Sequence, residues 1–332
     1  MIHQDGAEYT NRTTTMTFEN NPMTIPSRFL FEGKAKCPAS LLNRAKQLEP
    51  LPFAFVRATG STVLKTARDA SIAKLIKPIL VGETAIIERD AAAIGWPLKD
   101  IEIVQAVDEV EAVNMSVKLF LAGKIGGLIK GQIHTDIFMS GIVKRESKIR
   151  LDKRLIHVFA MLPPNGGKPL LISDAAINIQ PDTETRLTAA LAMADIARKF
   201  GIARPRIAIL SATESLLPRM QSSIEAREIA ERASEDDKNA DFVGPLSFDL
   251  AISPKAAASK GVFNPVAGMA DGLVVPDIVS GNILFKSLVW CAGGLAAGVV
   301  LGGAIPIVLT SRSDPPAARL ASLALAVICN KR

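Results

Sequence analysis

Residues 305–329 read IPIVLTSRSDPPAARLASLALAVIC, and this stretch decides how the chain is built. A β-branched strand, Ile305–Leu309, runs up to Thr310. Asp314 reads as an N-cap and Pro315 as a first helical residue, after which Leu320, Ala324 and Ile328 continue one buried helical face. Ser311 and Arg312 thus fall between a strand's carboxyl end and a helix's amino end. Unpaired backbone N–H groups and a positive dipole end meet there, beside a planar, permanently charged guanidinium. A phosphate-sized anion fits that chemistry. The competing reading makes Arg312 an ordinary surface arginine and Ser311 a turn residue.

Just upstream, Ser287 to Ser311 holds no charged residue, which by length alone could span a bilayer. Gly294, Gly298 and Gly302 even stand at GxxxG spacing. Against that, Gly293-Gly294 and Gly302-Gly303 punctuate the run like turns, and neither an aromatic belt nor a basic cluster flanks it. It reads as a helix end, a turn and interior strands, with no membrane partner.

Further out, short aliphatic runs alternate with helical patterns. Strands are expected at Phe53–Val56, Ile79–Val81, Ile101–Val104, Gly127–Ile129, Val158–Met161, Leu170–Ile172, Arg206–Leu210, Leu273–Val275 and Ala297–Leu301. Asp182 reads as the N-cap of a helix whose buried face includes Leu187, Leu191, Ala194 and Ala197. Such alternation implies an α/β protein with parallel sheets covered on both faces and ligands at the carboxyl ends of the strands. Neither GxGxxG nor GxxxxGK[ST] occurs, so ordinary dinucleotide and P-loop readings lose their main support.

With 332 residues the chain has room for two domains and needs no disulfide or metal staple. Apolar residues make up 48% and charged residues 22%, which excludes a mainly disordered protein. The formal net charge of +6 favours anionic small molecules; without basic blocks interleaved with aromatics, no nucleic-acid partner is expected. Three cysteines, Cys37, Cys291 and Cys329, without CxxC spacing argue for reduced thiols in a cytoplasmic setting. Cys291 and Cys329 lie in apolar helical stretches, where thiols are inert packing. Three scattered histidines leave no metal centre to be expected. Residues 1–25 are polar and read as a flexible leader.

Three more segments carry candidate chemistry. In KGQIHT, after the strand ending at Ile129, Lys130 supplies a mobile cation, Gly131 allows close backbone approach, and His134 and Thr135 add hydrogen-bonding groups. In LLISDAAINIQPD, Asp174 and Asn178 follow a buried strand. In PDIVSGNILFKSL, Gly281-Asn282 is expected to open a helix, with Lys286 one turn on; Asn282 reads equally as a simple cap.

Taken together, KGQIHT, RLIHVFAM, LLISDAAIN, AILSATES, GPLSFDLAIS, PDIVSGNILFK and PIVLTSRSD resemble, in order over residues 40 to 330, the phosphate acetyltransferase/phosphate butyryltransferase family. The resemblance implies two three-layer α/β domains with an inter-domain cleft, like isocitrate and isopropylmalate dehydrogenases. Domain one would comprise 26–150 plus 295–332, and domain two the inserted 151–294. It implies a homodimer or higher homo-oligomer that converts acyl-CoA and phosphate into acyl phosphate and CoA, acetyl ahead of butyryl. Coenzyme A enters as substrate, with no resident cofactor or metal. Carried onto this chain, Ser311 and Arg312 are catalytic, and Asp314 is the carboxylate available as a base. Lys130, Gly131, His134, Thr135, Asn178, Asn282 and Lys286 bind substrate.

The chain departs from the family pattern at three points. Ala318 stands where acetyltransferase-type members carry an aspartate, seven residues after the loop serine. Ser140 replaces an arginine expected after the histidine-threonine pair, and Val243 an aspartate before GPL. A catalytically weakened homologue that binds CoA or acyl phosphate is the alternative these departures leave open.

Overall fold

Aliphatic runs become strands where both faces are covered, and apolar residues at 3.6 spacing become helices packed on them. The computed structural model describes residues 29–33, 36–151, 154–311 and 313–330; the leader expected over 1–25 lies outside them. The strands are β1 (Leu51–Val56), β2 (Ile76–Gly82), β3 (Glu102–Gln105), β4 (Gly127–Lys130), β5 (Ile156–Leu162), β6 (Leu170–Ser173), β7 (Arg206–Leu210), β8 (Asp241–Leu246), β9 (Gly272–Val274), β10 (Leu295–Leu301) and β11 (Ile307–Val308). Helices α1 (Ala39–Lys46), α2 (Ser61–Ile72), α3 (Thr84–Ala93), α4 (Glu109–Leu121) and α5 (Thr135–Val143) intervene in the first half. They are followed by α6 (Thr183–Lys199), α7 (Gln221–Asp236), α8 (Phe248–Ile252), α9 (Pro254–Ser259), α10 (Ile278–Trp290) and α11 (Pro316–Cys329).

The strands form one sheet in the order β3-β2-β1-β4-β11-β10-β5-β6-β9-β7-β8. Two parallel blocks, β3-β2-β1-β4-β11 and β6-β9-β7-β8, flank a middle where β10 pairs antiparallel with both β11 and β5, and β5 antiparallel with β6. The expectation of parallel pairing throughout is corrected there: β10 turns back into β11 through a short connection, which only antiparallel neighbours permit. β8 was not anticipated, because Gly244-Pro245 interrupts its apolar run and Asp241 opens it. The uncharged run 287–311 resolves into the end of α10, β10 and β11, and no helix of the described chain is long and apolar enough to cross a membrane.

Helix starts also differ in detail. The N-cap of α10 is Asp277, whose side chain accepts from Ser280 N, so Gly281-Asn282 lies inside the helix. The N-cap of α11 is Pro315 and its first residue Pro316; Asp314 stands outside, its carboxylate engaged by the loop. α11 is buried almost all round because it packs on β10, α1 and α2 at once. Leu323 and Leu325, fully buried there, contribute about 1.5–3 kcal/mol each by leaving water. Cys329 ends this helix and is buried, its thiol pushed up to about 12 by desolvation, whereas Cys291 is exposed just past α10 instead of packed within a helix.

Gly131 follows β4 where the chain crosses the end of β1. Its N–H donates to Val56 O (2.9 Å), and a Cβ would sit 2.4 Å from Arg57 O and 2.6 Å from Val56 O. Both obstacles are backbone, so neither can yield as a flexible side chain would. Gly131→Ala is expected to destabilise the chain by roughly 1–3 kcal/mol, read as a lowered urea midpoint at unchanged slope.

Candidate active site

β1, β4 and β11 are adjacent and parallel, so they end on one edge of the sheet. From that edge β4 leads through Gly131–His134 into α5, and β11 leads through Thr310–Asp314 into α11. Thr310 Oγ1 donates to Lys130 O at 3.2 Å, tying the two loops together. Within the second loop Ser311 N donates to Asp314 Oδ2 (2.7 Å), the Ser311 and Ser313 hydroxyls lie 3.0 Å apart, and Arg319 Nη2 donates to Ser311 O (3.3 Å). Arg312 lies outside the described residues.

Two cavities open at these loops. The larger, about 1200 Å³, is walled by Lys130, His134, Thr135 and Ser311, by the start of α11, and by Asn282 and Lys286 of α10. The smaller, about 210 Å³, is lined by Lys130, Gly131, Ser311, Thr62, Thr66 and Arg319 among others. Lys130 and Ser311 belong to both and mark their junction. Arg319 is almost wholly buried; desolvation lowers its basicity and the Asp314 charge restores part of it. The Asp314 carboxyl is half-buried, and desolvation pushes its pKa up against the pull of the Ser311 N–H and Arg319.

The floor of the larger cavity is made by β5 and β10. His157 packs edge-on against Phe159 (ring centroids 4.3 Å apart), and Phe159 stacks on Phe285 of α10 (4.2 Å). Gly298 makes room opposite: a Cβ there would lie 2.8 Å from His157 Nε2. His157 is buried and its Nδ1 has no hydrogen-bond partner among the described residues. Desolvation lowers its pKa to about 4, the nearby Asp174 charge opposing, so the ring is neutral at physiological pH.

Asp174 is a buried anchor behind this floor. Its carboxylate accepts from His157 N (2.9 Å), Ala176 N (2.9 Å), Ile177 N (3.0 Å) and Asn178 Nδ2 (2.7 Å). Asn178 also donates to Leu155 O (2.9 Å), so its amide braces the loop after β6 instead of lining the cleft. Of the expected substrate-binding residues, the structure brings Lys130, His134, Thr135, Asn282 and Lys286 together in the larger cavity and places Gly131 in the smaller. Sequence reasoning gave no site role to His157, which it read only within the RLIHVFAM string, nor to Arg319, Arg57 or Glu109. Arg319 had a readable signal, a charge set among the apolar positions of α11; Glu109 had none, because its contacts come from distant elements. Among the described residues no three His, Cys, Asp or Glu side chains converge as metal ligands would.

These features define an α/β protein with a two-chambered, cation-bearing cleft at a shared strand edge. The family described as phosphate acetyl/butaryl transferase matches residues 108–327, and the chain belongs to it. Phosphate acetyltransferase of Rickettsia typhi is 37% identical over 298 residues, covering 89% of this chain and 85% of that one. Phosphate butyryltransferase of Clostridium acetobutylicum is 30% identical over 289 residues, covering 87% and 96%. The branched-chain phosphotransacylase of Enterococcus faecalis superposes with TM-score 0.75 at 31% identity, covering 84% of this chain and 98% of its own. A 4-hydroxythreonine-4-phosphate dehydrogenase of Burkholderia phymatum, 14% identical with TM-score 0.52 over 86% and 99%, shares the fold alone.

Because His157 binds protons more weakly folded than unfolded, stability is full above its ordinary pKa of 6.5 and is lost as pH falls toward 4. Thermal midpoints measured across that window should fall for the native chain and fall less steeply for His157→Gln.

Proposed function

We propose that the chain catalyses transfer of a short acyl group, acetyl first, between coenzyme A and phosphate. The observation that carries this reading is the junction of the two cavities at Lys130 and Ser311. The larger chamber has room for an acyl-CoA thioester end. The smaller is the size of a few waters and bears Lys130 and Arg319, the charges a phosphate needs. An acyl carbonyl at the junction would have phosphate on one side and the pantetheine sulfur on the other, the near-attack arrangement that converts a bimolecular step into a unimolecular one. Ser311 and Lys130 would then face the oxygen on which charge develops.

The departures from the family pattern fit this account in part. Ser140 sits on α5, its hydroxyl bonded back to Ile137 O (2.9 Å), and offers no charge. Arg319, one residue beyond the buried Ala318, supplies a cation at the smaller chamber instead. Butyryl is the second reading, favoured by the apolar Phe159–Phe285 stack along which a longer chain could lie. By family likeness and cysteine pattern, we read the chain as a cytoplasmic homodimer or higher homo-oligomer. It would need no resident cofactor.

Thiol release from acetyl-, propionyl- and butyryl-CoA with phosphate tests the reading: turnover fastest with acetyl supports it. CoA binding by calorimetry without thiol release would replace it with that of a binding homologue. Arg312→Ala is expected to lower turnover roughly tenfold or more, about 1.4 kcal/mol of transition-state stabilisation, with folding intact by circular dichroism.

A further inference from the structure

A thiol must lose its proton before it attacks a carbonyl, and Ala318 withholds the family's carboxylate from that task. Asp314 is the nearest replacement in sequence, yet its Oδ2 is held by Ser311 N (2.7 Å) and its partial burial favours the protonated form. The other side of the cleft offers a built arrangement. His134, the N-cap residue of α5, places its Nδ1 2.9 Å from Glu109 Oε2 and 3.1 Å from Oε1. Glu109 Oε2 also accepts from His134 N at 3.2 Å, and Arg57 Nη1 holds Glu109 Oε1 at 2.6 Å.

Arg57 is itself fixed. It has a left-handed backbone (φ 56°), its carbonyl accepts from Gln132 N (2.9 Å), and a second ion pair ties it to Glu83 (3.2 Å). A non-glycine residue in that conformation persists only where its surroundings over-determine it. Partial burial pushes the Glu109 carboxyl up, but hydrogen bonds from the His134 ring and backbone, with the charges of His134 and Arg57, hold it below the usual range. An ionised carboxylate can only accept, so His134 Nδ1 carries the hydrogen, and in the neutral form of the ring the lone pair stands on Nε2. The ring is exposed, lines the larger cavity, and has no hydrogen-bond partner for Nε2 among the described residues.

We propose that His134, oriented by Glu109 and through it by Arg57, is the general base for the coenzyme A thiol. The proposal rests on the acyl-transfer reading. Nε2 takes the thiol proton as the sulfur lone pair attacks the acyl phosphate carbonyl carbon. The tetrahedral adduct then breaks its C–O bond to phosphate, and the imidazolium gives the proton to the departing phosphate oxygen. Glu109 is a positioning residue. The other charged side chains that line the same cavity are Lys130 at the end of β4, Lys286 on α10 and Asp314 before α11; Asp136 lies in the first turn of α5.

The test follows thioester formation from acetyl phosphate and coenzyme A against pH, on the full chain. The native enzyme should show an acidic limb in kcat/KM, where protonation removes the base. His134→Ala should lose about 10²–10⁴-fold in kcat with little change in KM, lose that limb, and regain part of its rate with added imidazole. Glu109→Gln should move the limb to lower pH, because the imidazolium loses its neighbouring charge. His134 is exposed, so unchanged thermal midpoints are expected for its variant. An unaltered limb and rate in His134→Ala would overturn the proposal alone. So would loss of the limb in Asp314→Asn while His134→Ala retains it. A native chain that forms no thioester from any acyl phosphate would overturn the acyl-transfer reading and this one together.

Discussion

Two rungs of a parallel ladder, Ile307 opposite Leu128 and Val308 opposite Ile129, hold everything else in place. They join segments some 180 residues apart in sequence and bring two strand ends to one edge, where Lys130 and Ser311 become neighbours. Parallel strands present carboxyl ends, helix amino ends and free N–H groups on the same side, so this pairing collects the donors and positive charge of the site. A one-residue slip would turn the side chains of β11 to the opposite face.

Lys130 and Arg319 line the smaller chamber, Arg319 next to Asp314, whereas His157 in the floor of the larger one is neutral by desolvation. The Asp174 carboxylate behind it gathers four hydrogen bonds, three of them from backbone N–H groups, which stiffens the turn after β6 on which the floor rests. The Arg57–Glu109–His134 chain links the residue after β1 to the starts of α4 and α5, reinforcing a loop whose Gly131 and Gln132 N–H groups bond Val56 O and Arg57 O.

Family likeness and local geometry meet unevenly. The loop serine, Lys130 and the α10 residues Asn282 and Lys286 line the larger cavity, and Gly131 the smaller. On the acyl-transfer reading, the charges that Ala318 and Ser140 do not supply would come from other positions, Arg319 one residue further along α11 and Glu109 beside His134. A site under one electrostatic requirement can meet it from several backbone positions, because charge acts over several ångströms while hydrogen bonds do not.

Strands β1, β4, β5, β7 and β10 were legible because aliphatic runs bounded by turn residues are local signals, and Asp182 because an N-cap is set within one turn. The α/β class and the cationic character of the loop after β11 follow from the same short-range physics. β8 was hidden by Gly244-Pro245, and the antiparallel middle of the sheet by the fact that pairing direction leaves no mark on hydrophobic periodicity. Asp314 reads as a cap from its neighbours, yet the folded loop spends its carboxylate on Ser311 N instead. His157 could be seen, but that its ring is desolvated and without a hydrogen-bond partner among the described residues depends on Phe159, Phe285 and Gly298 arriving from three elements. Sequence alone determined most of the strands, the helix after Asp182 and the one that ends the chain's strand-to-helix loop, and where charge collects. Tertiary packing decided which of those charges share a chamber and what each carboxylate holds, since burial and hydrogen-bond partners come from distant chain segments.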